Sequence, residues 1–193
     1  MTVALRQSPS LAEFLAWEER QETKHEFDGI VPVAMVGGTV AHARIQSNLI
    51  AALHQRLRGK PCEVFGSELK LKMARTLRYP DAMVVCTPLS GRATFVTDPT
   101  VVFEIASTST SRTDRVLKVR EYGATPAIAR YVILEQTGPA ATVFSRECGD
   151  WLGRVHDGHD AVLPLPEIGV DLPLADIYSG LDFDDLTPGA DFA

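Results

Sequence analysis

Tyr79-Pro80-Asp81-Ala82-Met83-Val84-Val85-Cys86, followed after a connection containing Pro, Gly and Ser by Thr100-Val101-Val102-Phe103-Glu104-Ile105-Ala106, is the stretch on which the fold turns. Each segment is a strand-length run of apolar, largely β-branched residues interrupted by one acid. Pro80 can stand only at such a strand's first position or on an edge, because it has no N–H to give to a ladder. A carboxylate inside an apolar strand is expensive to bury unless something compensates it, and here two successive strands each carry one. If the strands pair so that Asp81 and Glu104 are adjacent, their repulsion calls for a cation. Hard oxygen ligands in small number suit Mg²⁺ or Mn²⁺.

Working outward, Cys62 to Met73 reads as one strand with a wet side, since Val64, Leu69, Leu71 and Met73 fall mostly in steps of two, with Lys70 and Lys72 opposite. Arg75 to Arg78 then forms a basic turn. Upstream, Ile45, Leu49, Ala52, Leu53 and Leu57 lay an apolar stripe along a helix over about 40–58, ended by Gly59-Lys60-Pro61. His25 to Val36 reads as a hairpin turning at Asp28-Gly29. Ser10 and Glu13 have capping-box spacing for a helix over about 10–22.

Downstream, a helix capped within Thr110 to Arg112 runs to Tyr122, and Ala129 to Leu134 is a further apolar strand. Strand, helix, strand implies a parallel crossover. Short strands and turns follow, through a Pro-rich stretch from Val162 to Leu174. The pattern predicts an α/β layer fold, one domain over 1–193 with an acidic, Pro-rich tail from about 160.

The net charge of −6 argues against nucleic acid until its distribution is considered. Residues from Asp150 onward carry a net −9, leaving +3 for 1–149, and 43–130 holds fourteen Lys or Arg against seven acids. A basic middle with an acidic tail suits an anionic substrate with a shielded back face, although an ordinary mixed surface gives the same count. No run approaches a membrane helix and no leader pattern opens the chain, so a cytoplasmic protein is expected. Cys62, Cys86 and Cys148 are odd in number and lack CxxC spacing. They read as small apolar fillers, with neither a disulfide framework nor a zinc site signalled.

Taken in order, these elements resemble the PD-(D/E)XK nuclease superfamily and, within it, the Uma-type restriction endonuclease family. Pro80-Asp81 is similar to the PD pair, and Glu104-Ile105-Ala106-Ser107 to the E-V-x-S strand end. His25-Glu26-Phe27-Asp28-Gly29 resembles the E-x-x-D-G hairpin, and His42 the histidine that opens the first core helix. Asp114, Lys118 and Tyr122 resemble a D-x-x-x-K-x-x-x-Y helix, and Tyr131-Val132-Ile133 the strand after it.

The resemblance implies a restriction-endonuclease-like α/β fold, a central mixed β-sheet flanked by helices, and Mg²⁺-dependent hydrolysis of DNA phosphodiester bonds. It implies Asp81 and Glu104 as metal ligands, Glu26 as a third, and Lys118 and His42 in the site. Two departures stand out. Ala106 occupies the superfamily's usual lysine position, so Lys118 would have to supply that function from the helix. Thr108 stands where the family usually has Pro.

Several residues keep a plainer alternative. Asp81 could cap its own backbone, Glu26 could pair locally, and His42, on the stripe with Ile45 and Leu49, could be a core histidine. Lys118 could belong to a solvated face with Arg112, Arg115 and Arg120. Lys70, Lys72, Arg75 and Arg78 are the candidate phosphate contacts. His156 and His159 flank Asp157-Gly158 and read as a hairpin tip, Ser107 to Ser111 as the loop and cap of the next helix, and Trp17 and Trp151 as packing residues. Dimerisation would suit cutting both strands of a duplex. A nucleic-acid-binding module without hydrolysis, or an assembly protein whose acidic tail binds a partner, are the competing readings.

Overall fold

The computed structural model describes residues 8–106, 112–147 and 149–183. The cap expected within 107–111, Cys148, and the tail acids Asp184, Asp185 and Asp191 lie outside the described residues. Helix α1 (Leu11–Glu18) starts at the capping box: Ser10 Oγ accepts from the Glu13 amide and the Glu13 carboxylate accepts from the Ser10 amide. It ends four residues before the expected boundary. Strands β1 (His25–Phe27) and β2 (Pro32–Ala34) form the hairpin, whose turn is held by Asp28 Oδ1 accepting from the Ile30 and Val31 amides at 2.8 Å, with Gly29 at φ +89°. Helix α2 (Val40–Leu57) follows as expected, with Thr39 as its N-cap.

The expected single strand over 62–73 is instead two: β3 (Glu63–Gly66) and β4 (Lys70–Lys72) lie in different sheets. Next come β5 (Leu77–Arg78), where a basic turn was expected, β6 (Ala82–Val85), β7 (Phe95–Val96) and β8 (Val101–Ile105). Helix α3 (Arg112–Gly123) crosses over to β9 (Arg130–Leu134), which runs parallel to β8. Strands β10 (Ala140–Glu147) and β11 (Asp150–Asp157) form a long hairpin. A short one follows, β12 (Val162–Leu165) with β13 (Val170–Pro173), and then α4 (Leu174–Ile177). Asp157-Gly158 sits at the open end of the β10–β11 hairpin and leads into β12, so it is a connection between sheets rather than the expected hairpin tip.

The central six-stranded sheet, ordered β11-β10-β9-β8-β6-β3, is mixed, as predicted. On one face Ile45, Leu49, Leu53 and Leu57 of α2 meet Ala82, Val84, Phe103 and Val132, with the β12–β13 hairpin and α4 closing that side. Each such leucine contributes about 1.5–3 kcal/mol through burial. On the other face Met83, Val102, Tyr131 and Ile133 pack against Tyr122 of α3 and against Leu71 and Val96 of the five-stranded sheet β2-β1-β5-β4-β7. Trp151 packs at the rim of this second core, with Arg146 over its ring; Trp17 packs beside Phe14 in the small core under α1. No helix among the described residues is long and apolar enough to cross a membrane.

Two expectations about side chains are overturned. Cys62 and Cys86 are joined by a disulfide, because they fall opposite one another in the β3–β6 register, one step beyond the Glu63–Val85 pair. Lys70 is not free to contact phosphate: its Nζ lies 2.6 Å from the buried Glu18 carboxylate, which also accepts from Tyr79 Oη at 2.6 Å. Burial opposes the charged form of Glu18, but the bonds from Lys70 and Tyr79 outweigh it and hold its pKa below the ordinary carboxylate range. A carboxylate depressed on folding contributes stability above its unfolded pKa, about 4.3, and loses it as the pH falls through the lower folded value. The Tm gap between the wild-type protein and Glu18→Gln, measured from pH 7 downward, is therefore expected to close below about pH 4.

Candidate functional site

The β6–β8 register continues one step past Ala82–Phe103 to set Asp81 opposite Glu104, on the sheet face that carries Met83 and Val102. Asp81 is tied to its neighbour directly, since its Oδ2 accepts from the Ile105 amide at 2.7 Å. Its backbone carbonyl accepts from Gln46 Nε2 at 2.9 Å. The capping alternative thus fails in its simple form: the carboxylate bonds across the sheet, not to its own turn. Both carboxylates are about 14% exposed, enough to open on a cavity without being surface groups.

That cavity, of about 400 Å³, is lined by Glu26, the end of the β1–β2 hairpin, His42, Gln46, Asp81, Glu104 and Lys118. Helix α2 brings His42 Nε2 to 3.3 Å from Asp81 Oδ1. Gly38 makes room for it: a Cβ there would stand 3.0 Å from the imidazole Cγ. The hydrogen bond to Asp81 raises the His42 pKa above the ordinary range, against its burial. His42 therefore faces the site rather than the core.

Helix α3 carries Lys118 over the sheet. Its Nζ lies 3.1 Å from both Glu104 oxygens, 3.7 Å from Glu26 and 4.0 Å from Asp114. Tyr122, one turn on, donates to Glu104 Oε1 at 2.8 Å. A lysine thus reaches Glu104 from the helix, and the solvated-face alternative does not hold, because Lys118 is buried. Burial pushes the Glu104 pKa up to about 7. The Lys118 charge opposes this, while Asp81 and Glu26 add to it. Burial pulls the Lys118 pKa down, but the carboxylates around it prevail and hold it above its ordinary value. An ammonium held this firmly donates hydrogen bonds and charge. It is a poor choice for taking a proton from water.

Glu26 reaches the cavity but is heavily engaged. Its Oε2 accepts from Arg78 at 3.1 Å and its Oε1 from the Tyr79 amide at 3.1 Å. Arg78, expected to contact phosphate, is 2% exposed and spent on Glu26 and on both oxygens of Glu121 at 2.7 and 2.8 Å. Of the four expected phosphate contacts, only Arg75, which is exposed, and Lys72, whose ammonium lies over the Phe95 ring, remain turned outward. His156 lies on β11 and His159 packs beside Phe183. Among the described residues no three His, Cys, Asp or Glu side chains gather closely enough to hold a metal by themselves.

Gln46, Glu121 and Gln136 were not anticipated as parts of this region. Gln46 stands one turn from His42 on α2, and a polar residue on that face was the available signal. Glu121 and Gln136 gave none.

An acid entering one strand, an acid in its antiparallel neighbour and a lysine held against the second, on a mixed sheet between helices, define a protein of the restriction-endonuclease-like class. More narrowly, the chain belongs to the Uma2 family, described as "Putative restriction endonuclease", whose model matches residues 11–175. It is 37% identical over 176 residues to "Uncharacterized protein slr1290" of Synechocystis sp., covering 89% of this chain and 92% of that protein. A second Synechocystis protein, "Uncharacterized protein sll1609", is 32% identical over 145 residues, covering 70% and 80% respectively. Among solved structures, "a putative nuclease belonging to DUF820" from Anabaena variabilis superposes with a TM-score of 0.75 at 19% identity, over 89% of this chain and 98% of that one. At that identity the likeness is one of fold.

Proposed function

We propose that the protein is a Mg²⁺-dependent endonuclease that hydrolyses DNA phosphodiester bonds, with Asp81 and Glu104 as the metal-holding pair. The observation that carries this reading is the convergence of these two carboxylates and the Lys118 ammonium on one cavity. The donor set fits the ion: Mg²⁺ commonly takes one or two carboxylates and completes its shell with water and substrate phosphate. Burial, with the Asp81 and Glu26 charges adding to it, disfavours an ionised Glu104, and a divalent cation would offset both effects. Glu26, with both oxygens already accepting, supports the pair through Lys118 rather than serving as a third ligand.

When bound, the ion supplies Lewis acidity toward the phosphate and lowers the pKa of water in the site. The chain's own groups do the rest. Lys118 stays protonated, opposes the burial that disfavours the Glu104 charge and offers its own charge to the oxygens of the reacting phosphate. His42, with its imidazole on Asp81 Oδ1, fixes that carboxylate and can carry a proton at Nε2. Arg75 and Lys72 are the outward cations available to backbone phosphates.

One observation favours a second reading, a DNA-binding module without hydrolysis: Lys118 and His42 already neutralise much of the pair's charge. The two readings separate on one experiment. Supercoiled and linear duplex DNA incubated with the purified full chain in Mg²⁺ or Mn²⁺ is expected to be cut, and EDTA to stop cutting. Salt-sensitive binding that persists in EDTA with no cleavage in either ion would favour the binding module.

A further inference from the structure

We propose that Gln136 is a positioning residue for this site, fastening the first turn of α2 to the end of β8. The proposal rests on the assignment of the site above. Gln136 is 9% exposed and both ends of its amide are used. Its Nε2 donates to the Ala106 carbonyl at 2.8 Å, and its Oε1 accepts from Thr39 Oγ1 at 2.7 Å. Because a carbonyl can only accept, the contact with Ala106 fixes which end of the amide is the nitrogen. Thr39 Oγ1 in turn accepts from the His42 amide at 3.1 Å, as the N-cap of α2.

The chain of bonds therefore runs from the His42 backbone through Thr39 and Gln136 to Ala106. His42 contacts Asp81, and Ala106 lies two residues beyond Glu104. The β8–β9 register ends at Ile105–Leu134, and the Ala106 amide still finds the Leu134 carbonyl. Gln136 then gives the Ala106 carbonyl a side-chain donor where the ladder runs out. The other support of this turn is slight. It is entered through Gly37-Gly38, Val40 beside it is 76% exposed, and before Ile45 the small Ala41 is the one buried apolar residue of α2. An inward glutamine, rather than a further apolar residue, is needed because it joins an acceptor to a donor that no backbone group reaches.

The test compares Gln136→Met, which keeps the shape and loses both bonds, with Gln136→Glu in the full chain. Gln136→Met is expected to lower kcat for Mn²⁺-dependent duplex cleavage by about tenfold to 10²-fold, the scale of a small misplacement, with KM little changed. Amide hydrogen exchange at His42 is expected to accelerate while that at Leu49 and Leu53 does not. A protonated glutamic acid can donate to Ala106 and accept from Thr39, whereas a carboxylate sets a lone pair against the Ala106 carbonyl. The Gln136→Glu rate relative to wild type is thus expected to fall as pH rises, and the Gln136→Met ratio to stay flat. Unchanged kcat in Gln136→Met, or identical pH behaviour of the two variants, would overturn the proposal. If the wild-type chain cuts no DNA, the functional assignment fails, and exchange alone decides: faster exchange at His42 in Gln136→Met upholds the fastening, unchanged exchange removes it.

Discussion

Asp81→Asn/Glu104→Gln protein is expected to lose at least about 10³-fold in cleavage rate, since the several kcal/mol that a held cation contributes at the phosphate would go with the charges that hold it. The fold should survive. Asparagine keeps an acceptor for the Ile105 amide and glutamine one for Tyr122 Oη, so neither buried donor is orphaned. Removing the Glu104 charge relieves the cost of burying it but leaves the buried Lys118 ammonium with only Glu26 at 3.7 Å and Asp114 at 4.0 Å as counter-charges, so some stability is lost. Circular dichroism close to wild type and a lower Tm with a cooperative melt, with cleavage gone and Mn²⁺ affinity reduced, is the expected result. Cleavage within tenfold of wild type would remove the metal pair from the mechanism. Lys118 supplies a comparison: if its part is charge, Lys118→Arg should retain more activity than Lys118→Met, and equal loss in both would argue against that part.

Much of this geometry follows from local patterns. Asp81 and Glu104 stand out because an acid in a run such as Val102-Phe103-Glu104-Ile105 breaks the strand's own composition, and the strand order then sets them side by side. The α2 stripe and the crossover through α3 are likewise local periodicities. The break between β3 and β4 was present in the sequence but easy to pass over. Val64 to Leu69 is an odd step, which moves the apolar side to the opposite face and cannot belong to one half-buried strand.

The burial of Lys70 and Arg78 was not legible. Their partners Glu18 and Glu26 each lie 52 residues away, and Glu121 lies 43 away, so a count of charges along the chain reads as surface what the fold turns inward. The Cys62–Cys86 pair, 24 apart, depends in the same way on a register that only the paired strands define.

Arg78 is where that difference has its largest consequence for stability. It meets three carboxylate oxygens from β1 and α3, and so joins the small sheet to the helix that carries Lys118. Burial works against its charge, yet Glu121 and Glu26 hold its pKa above the ordinary value. Arg78→Met would leave two carboxylates with little exposure and one cation fewer, a loss of about 3–5 kcal/mol for a broken buried pair. At about 2–4 °C per kcal/mol for a chain of this size, Tm should drop by roughly 10 °C. Lys72→Met, which removes an outward cation, should change Tm by no more than a degree or two, as surface substitutions stay near 0.5 kcal/mol.

Because the penalty lies in the stranded acids, Arg78→Met/Glu121→Leu should recover part of the loss, by the logic that an apolar pair can replace a buried ionic one. Thermal melts of the four proteins test this. A Tm for Arg78→Met within two degrees of wild type would mean that the buried network is incidental to the fold. A large drop with no recovery in the double variant would place the cost in lost packing of the arginine stem instead.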